Sequence, residues 1–362
     1  MNYYFHIPFC RQKCAYCAFY SMPHPETSHF DAYLDHLAKE LEISENPPAE
    51  TVYLGGGTPT LLDVPHLEKL FSLILRHIPL KKDCEISIEA NPETLDAQKV
   101  ALIRDFATRI SVGVQSFSAA KRKTLGRICS GAALENALSL VAEAKFPHFN
   151  CDLIYGVPGE TPEMWAKEFD FLAELPIDHL SCYALTPEEG SLLGGDYAVD
   201  DGLADILWEK TALLAREKLG MARYEISNYA KKNGECRHNV NVWRGQLLRG
   251  YGPSASGFDG VDRMTYPTDF AAWLAGVPAE IDRISPRRRL NEIFAVNLRT
   301  AKGWTREMWE SVPHADAWNL RQNRARDLQN RLSGVILITE QRIALTEKGL
   351  RFWNTVAEEI LE

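Results

Sequence analysis

The sequence predicts an α/β fold, a partial (β/α)6 barrel followed by a small C-terminal winged-helix-like α+β unit. Three observations carry this expectation. Short β-rich runs alternate with amphipathic stretches six times between residue 3 and about residue 185. After about residue 200 the alternation weakens, and from Ser285 to Glu362 the pattern reads as helices, a short hairpin and a last helix.

The strand candidates are Tyr3 to Phe9, Thr51 to Leu54, Cys84 to Glu89, Arg109 to Val114, Asn150 to Tyr155 and His179 to Leu185. Between them, Phe30 to Glu42, Val64 to Arg76, Ala133 to Ala144 and Met164 to Leu175 repeat apolar residues at helical spacing. The strands read as apolar on both faces, the pattern of a parallel sheet wrapped by helices, and six units are too few to close an eight-stranded barrel. Residues 223 to 260 are rich in Gly, Asn and aromatics, and the hairpin VILITEQRIALT precedes a helix from Glu347. The expected division is 1–200 for the barrel, 201–284 for an extension and 285–362 for the winged unit.

The chain has 362 residues, 45% hydrophobic and 25% charged, with 40 basic and 49 acidic side chains, so the formal charge is −9. That sign draws no nucleic acid, and beyond Arg287, Arg288 and Arg289 there is no basic stripe, so a packing or substrate-covering role is expected of the winged unit. No apolar run of about 18 residues stands out, and MNYYFHIPFC lacks the order of a secretory signal, so a cytoplasmic protein is expected. Three of the eight cysteines sit together and five are scattered, which fits a reducing compartment and a metal centre better than disulfides.

The segment FHIPFCRQKCAYCAFYS sets Cys10, Cys14 and Cys17 at C-x3-C-x2-C just after the first strand. Three thiolates on a four-iron cluster leave one iron open to a small molecule. The rival metal is zinc, which wants four closed ligands, with His6 the nearest fourth candidate. Polar residues gather where a barrel carries its chemistry, at the carboxyl ends of strands: Gly55, Gly56 and Gly57 after TVYL, Glu89 in ISIE, Gln115 in ISVGVQ and Asp152 in NCDLIYG. A buried carboxylate needs a partner, so Glu89 and Asp152 are expected to meet a ligand or a basic side chain. Cys84, Cys151 and Cys182 lie in strands and read as buried apolar side chains.

This cysteine loop, followed by a glycine-rich turn after the second strand, resembles the radical S-adenosylmethionine (SAM) superfamily. The resemblance implies a [4Fe-4S] cluster held by Cys10, Cys14 and Cys17, with SAM chelating the open iron. It also implies that Gly55 to Gly57 let the backbone approach the methionine end of SAM, with Thr58 adding a hydroxyl. The stretches YFHIPFC, YLGGGTPTLL, IEANPET, SVGVQSF, LGRICSG, DLIYGVPGET, YALTPEEGS and YEISNYA are similar to the subgroup of oxygen-independent coproporphyrinogen III dehydrogenase (HemN-like) and the HemW-type heme chaperones. By that likeness Tyr4, Gly56, Gly57, Thr58, Glu89, Gln115, Arg127, Asp152 and Ala184 contact SAM, and Tyr16 lies in the cluster loop. Asp152 would pair with adenosine hydroxyls, Arg127 would fork onto a carboxylate, and Glu89 or Gln115 would bind the amino group or ribose.

The dehydrogenase pattern continues the loop to a fourth cysteine and carries a longer N-terminal extension. Here Phe19 follows Ala18 and nine residues precede Cys10, which points to the chaperone branch. That branch carries an HNxxYW motif thought to hold heme. The chain offers His238, Asn239 and Trp243, with Val242 in place of the Tyr. Two cysteines stand near these patterns: Cys129, where LGRxH leads one to expect histidine, and Cys236, two residues before His238. The resemblance therefore implies a chaperone that binds the cluster, SAM and heme and passes heme to acceptor proteins, a membrane-associated one among them. A homodimer is also expected, and a radical enzyme acting on a tetrapyrrole is the alternative.

Overall fold

In the computed structural model the described residues are 1–186, 188, 190–193 and 200–361. Pro187 and Glu189 of the YALTPEEGS stretch lie outside them. All six expected strands form: β1 (Asn2–Ile7), β2 (Ala49–Gly56), β3 (Leu80–Ala90), β4 (Arg109–Gln115), β5 (His148–Tyr155) and β6 (His179–Ala184). They pair in chain order, every pair parallel. The helices that cover them start at sequence-coded caps: the Asp63 carboxylate accepts from the His66 N–H ahead of Val64–His77, Ser130 caps Gly131–Ala144, and Thr161 followed by Pro162 opens Pro162–Ala173.

The expectation of strands apolar on both faces is corrected. Along each strand the side chains alternate, because successive residues point to opposite sides of the sheet. Tyr3, Phe5, Val52, Leu54, Ile86, Ile88, Ile110, Val112, Cys151, Leu153, Leu180 and Cys182 face outward into one core beneath the helices. The inward residues are polar: Tyr53, Glu89, Ser111, Asn150, Asp152, His179 and Ser181 line a cavity along the barrel axis. Barrel lumens are commonly packed with branched aliphatic side chains; this one carries polar side chains on its strands, with apolar residues such as Ile154 and Leu185 among them.

A seventh parallel strand, absent from the sequence expectation, extends the sheet: β7 (Leu248–Tyr251) runs alongside β1, and short antiparallel strands carry the sheet on past both ends to twelve. Gly252 (φ +97°) follows it, and a Cβ there would lie 2.4 Å from the His6 carbonyl oxygen, so the glycine permits this docking. Residues of the 201–284 segment share the barrel's core, among them Leu207, Leu214, Met221, Tyr229 and Trp273.

The C-terminal unit has its own core. Helix Pro286–Asn297, strand Trp304–Thr305, helices Arg306–Glu310 and Trp318–Arg331, then the hairpin Ile336–Ile338 and Arg342–Leu345, follow the winged-helix order, and the three strands form one sheet. Trp304 and Trp309 meet edge to face at 5.1 Å beside Phe294. Arg289 is buried, its guanidinium donating to the Pro313 carbonyl, so the arginine run is no open basic patch. The unit docks on helix Asp201–Leu219 through Arg351 with Asp205, and on the strand Ala222–Arg223 that follows it through Glu347 with Arg223 at 2.6 Å. Among the described residues, no helix is long and apolar enough to cross a membrane.

Candidate functional site

The cysteine loop folds over the carboxyl ends of the strands because several local features hold it there. His6 is buried with both ring nitrogens engaged, one with the Tyr20 carbonyl at 2.9 Å and one with the Tyr4 hydroxyl at 3.0 Å. Burial pushes its pKa down, so the ring stays neutral and is not free to bind a metal. The loop backbone is clamped on the Leu125–Arg127 turn. Ala15 N–H donates to the Leu125 carbonyl at 3.1 Å, the Gln12 amide donates to the Gly126 carbonyl at 2.8 Å, and a Cβ on Gly126 would lie 2.8 Å from the Ala15 nitrogen.

Cys10, Cys14 and Cys17 are half-buried free thiols on one cavity of about 720 Å³. Cys10 Sγ lies 3.6 Å from the Thr58 hydroxyl and Cys14 Sγ lies 3.7 Å from Arg127 Nη1. Burial pushes the Cys10 thiol up, and the Cys17 thiol up to about 11. Among the described residues no three His, Cys, Asp or Glu side chains converge tightly enough to hold a single metal ion. The three thiols are electrostatic neighbours of one another along the same cavity wall.

The same cavity holds two carboxylates that form no ion pair among the described residues, Asp152 feeling the Arg127 guanidinium only at a distance. Glu89 accepts from the Tyr53 hydroxyl at 2.7 Å and the Gly56 N–H at 3.1 Å, and Asp152 accepts from Ser111 at 2.9 Å and Asn150 at 2.8 Å. Burial, reinforced by Asp152, raises the Glu89 carboxyl to about 7; burial also raises Asp152. Neither carboxylate forms an ion pair among the described residues, so a cationic group entering the cavity finds two acceptors.

Gln115 ends β4 at φ +63°, where the register with β5 shifts by a residue, and this bulge turns the carboxamide into the cavity. Arg127 is not the open fork expected of it. Its Nη2 donates to Asn91 Oδ1 at 2.8 Å and the Gly113 carbonyl at 2.9 Å, and the buried Nε has no hydrogen-bond partner among the described residues. The glycine turn also serves the protein itself: a Cβ on Gly56 (φ +103°) would strike the His6 ring at 2.5 Å, and one on Gly57 would lie 2.8 Å from the Ile7 and Phe9 carbonyls.

Of the expected residues, the three cysteines, Tyr16, Gly56, Gly57, Thr58, Glu89, Gln115, Arg127, Asp152 and Ala184 all line this cavity; Tyr4, His238 and Trp243 do not. Tyr4 supports His6. His238 is buried 5.0 Å from the Tyr53 ring, Nδ1 bonded to the Thr51 hydroxyl at 2.8 Å, and burial lowers its pKa to about 4. Trp243 carries the Arg299 guanidinium at 4.8 Å. From the same segment it is Cys236 and Asn239 that line the cavity. Sequence reasoning missed Tyr53, Asn91, Ser111, Asn150 and Ser181 on the walls and Arg351 and Asn354 from the winged unit at the cavity's edge. Strand alternation was the available signal for Tyr53, Ser111, Asn150 and Ser181.

Comparison with known proteins agrees with this geometry. The radical SAM superfamily profile matches residues 4–172. The chain is 38% identical over 291 residues to a heme chaperone HemW of Mycobacterium tuberculosis, covering 75% of this chain and 74% of that one. It is 30% identical over 370 residues to a heme chaperone HemW of Lactococcus lactis, covering 99% and 96%. The solved structure of coproporphyrinogen III oxidase (HemN) from Escherichia coli superimposes with a TM-score of 0.82 at 22% identity, over 99% of this chain and 89% of that one, which fixes the shared fold.

Proposed function

Because this chain belongs to the HemW family of radical SAM proteins, we propose that it is a heme chaperone that holds a [4Fe-4S] cluster and SAM at the barrel mouth and delivers heme to acceptor proteins. The observation that carries the reading is one cavity lined by three neighbouring thiols and by two buried carboxylates that form no ion pair among the described residues. Cys10, Cys14 and Cys17 hold the cluster. A bound cluster of this kind supplies an open iron site and an electron to SAM. Glu89 and Asp152 meet the cationic and hydroxyl groups of SAM, Arg127 offers Nε, and Thr58, Gln115 and Ala184 border the same space.

Heme is assigned to the Glu235–Trp243 segment. His238 does not line the cavity and its Nδ1 is bonded to the Thr51 hydroxyl, so Nε2 is the nitrogen it would offer heme, whereas Cys236 and Asn239 line the cavity. Residues 1–200 act as the cofactor-binding barrel, 201–284 as the heme-facing extension and 285–362 as a cover whose Arg351 and Asn354 reach the cavity edge. The acceptors are apo heme proteins, including membrane-associated ones, and the working unit is a homodimer.

The test is anaerobic reconstitution with iron and sulfide, followed by titration with heme and incubation with an apo heme protein. Replacing any one of Cys10, Cys14 or Cys17 by Ala is expected to abolish iron–sulfur absorbance, and Cys84→Ala to leave it intact, since Cys84 is buried in β3 away from the cavity. Equal loss in all four variants, or no heme bound by the native protein, would overturn the reading.

A further inference from the structure

At the floor of the lumen, far below the cysteine loop in the strand order, lies a group that the cofactor reading leaves unused. Arg109, the first residue of β4, is 2% exposed and lines the cavity. Its Nε faces Glu85 at 3.3 Å and its Nη2 donates to the Gly234 and Glu235 carbonyls at 2.9 and 3.0 Å, while Nη1 has no hydrogen-bond partner among the described residues. A guanidinium has five N–H donors, and two left idle in a buried site normally cost stability unless something binds them.

The rest of the floor offers polar groups of the matching kind. Asn239 lines the same cavity, and its carboxamide makes no hydrogen bond among the described residues. The surrounding acid is already committed: Glu85 accepts from Arg109 and from the Arg237 and His238 backbone N–H groups at 3.2 and 2.9 Å. His179 is likewise occupied, bonded to Asn150 at 2.6 Å and the Tyr224 hydroxyl at 2.8 Å. Arg109 is bonded to the Glu235 carbonyl, four residues before Asn239, so the two donors border one part of the same cavity; one cationic and planar and one a carboxamide, they are complementary to the two oxygens of a carboxylate.

We propose that Arg109 and Asn239 form a carboxylate subsite at the lumen floor, occupied by a propionate arm of the tetrapyrrole. This assignment rests on the heme reading above and deepens it: His238 braces the sheet, and its neighbour Asn239 meets the ligand. A free carboxylate would satisfy the same donors, and the experiment separates the two sources.

Heme and heme dimethyl ester, whose propionates are esterified, are titrated into the reconstituted native protein, Asn239→Ala and Arg109→Lys, and followed in the Soret band. Native protein is expected to prefer heme by about 10-fold or more, the scale of one lost charge-assisted hydrogen bond. Both variants should bind heme as weakly as native protein binds the ester. Asn239→Ala removes a side chain with no hydrogen bond in the fold, so its melting temperature should stay native even where Arg109→Lys, which disturbs the Glu85 pair, falls. Failure of the heme reading alone would appear as no heme bound by any form. The subsite is then read by sodium acetate against sodium chloride at equal ionic strength, with acetate raising the melting temperature of native protein and not of Asn239→Ala. Equal affinity of native protein for heme and its ester, or a preference that survives both substitutions, rules out the propionate; absence of the acetate effect as well rules out the subsite.

Discussion

Glu89 is held as an acid that ionises near neutrality, and its removal should reverse sign with pH. Its carboxyl is pushed from an ordinary 4.5 to about 7, first by burial and then by Asp152, against the two hydrogen bonds it accepts from Tyr53 and Gly56. The folded protein therefore binds this proton more tightly than the unfolded chain does. Between pH 4.5 and 7 the stability contributed by the protonated form is progressively lost as pH rises, and below 4.5 it is fully present. At about 1.4 kcal/mol per pH unit, the whole interval amounts to about 3 kcal/mol. Glu89→Gln abolishes that dependence and costs about 1 kcal/mol by placing an amide N–H where an acceptor stood. The variant should thus be about 1 kcal/mol less stable than native at pH 4.5 and about 2 kcal/mol more stable at pH 8. Urea unfolding across this range, on matched reconstituted protein, measures the difference. A ligand cation beside the carboxylate favours its ionised form, so SAM binding to the native protein should also tighten as pH rises through 7, and the variant should show a flat profile. Identical pH slopes for both proteins would refute the argument that Glu89 is buried without a cation.

Two further outcomes follow from the same walls. Gly56→Ala forces a Cβ into the His6 ring at a φ of +103°, and should destabilise the protein by roughly 2–4 kcal/mol in thermal or urea unfolding while releasing the cysteine loop; a native melting temperature would show that the turn is not clamped as described. Reconstituted protein given SAM, a reductant and coproporphyrinogen III should form no protoporphyrinogen, because Phe19 stands, 71% exposed on the cavity, where the dehydrogenase pattern carries its extra cysteine; product detected by absorbance or mass would assign the chain to the enzymatic branch.

Much of the architecture was open to reading because the barrel strands repeat one rule. In EISIE of β3, Ile86 and Ile88 face the helices while Glu85, Ser87 and Glu89 face the lumen, and the same period-two pattern runs through RISVG of β4 and NCDLI of β5. Taking those runs as apolar on both faces hid the polar lumen, although the alternation stood in the letters. The seventh strand had no such signal. LRGY is four residues with one outward aromatic, Tyr251, and its pairing with β1 is licensed by a glycine's missing Cβ and by contacts about two thirds of the chain away in sequence.

The site shows the same division between chemistry and geometry. Cysteine spacing and the polar strand ends marked the cavity's residues, since each of those letters is costly in a buried place without a ligand or partner. What residue type alone could not reveal is which neighbour uses it. His238 belongs to a motif associated with a heme ligand, yet its Nδ1 is committed to Thr51 and its ring packs by Tyr53 off the cavity, and Arg127, read as a fork for a ligand, is largely spent on Asn91 and Gly113. The glycines of the turn admit the loop's own backbone as well as bordering the cavity. These commitments have a functional consequence: a cysteine loop locked onto Gly56, Gly57 and Gly126 holds its three thiols in place before any cofactor arrives, so binding need not bear the entropy of ordering that loop.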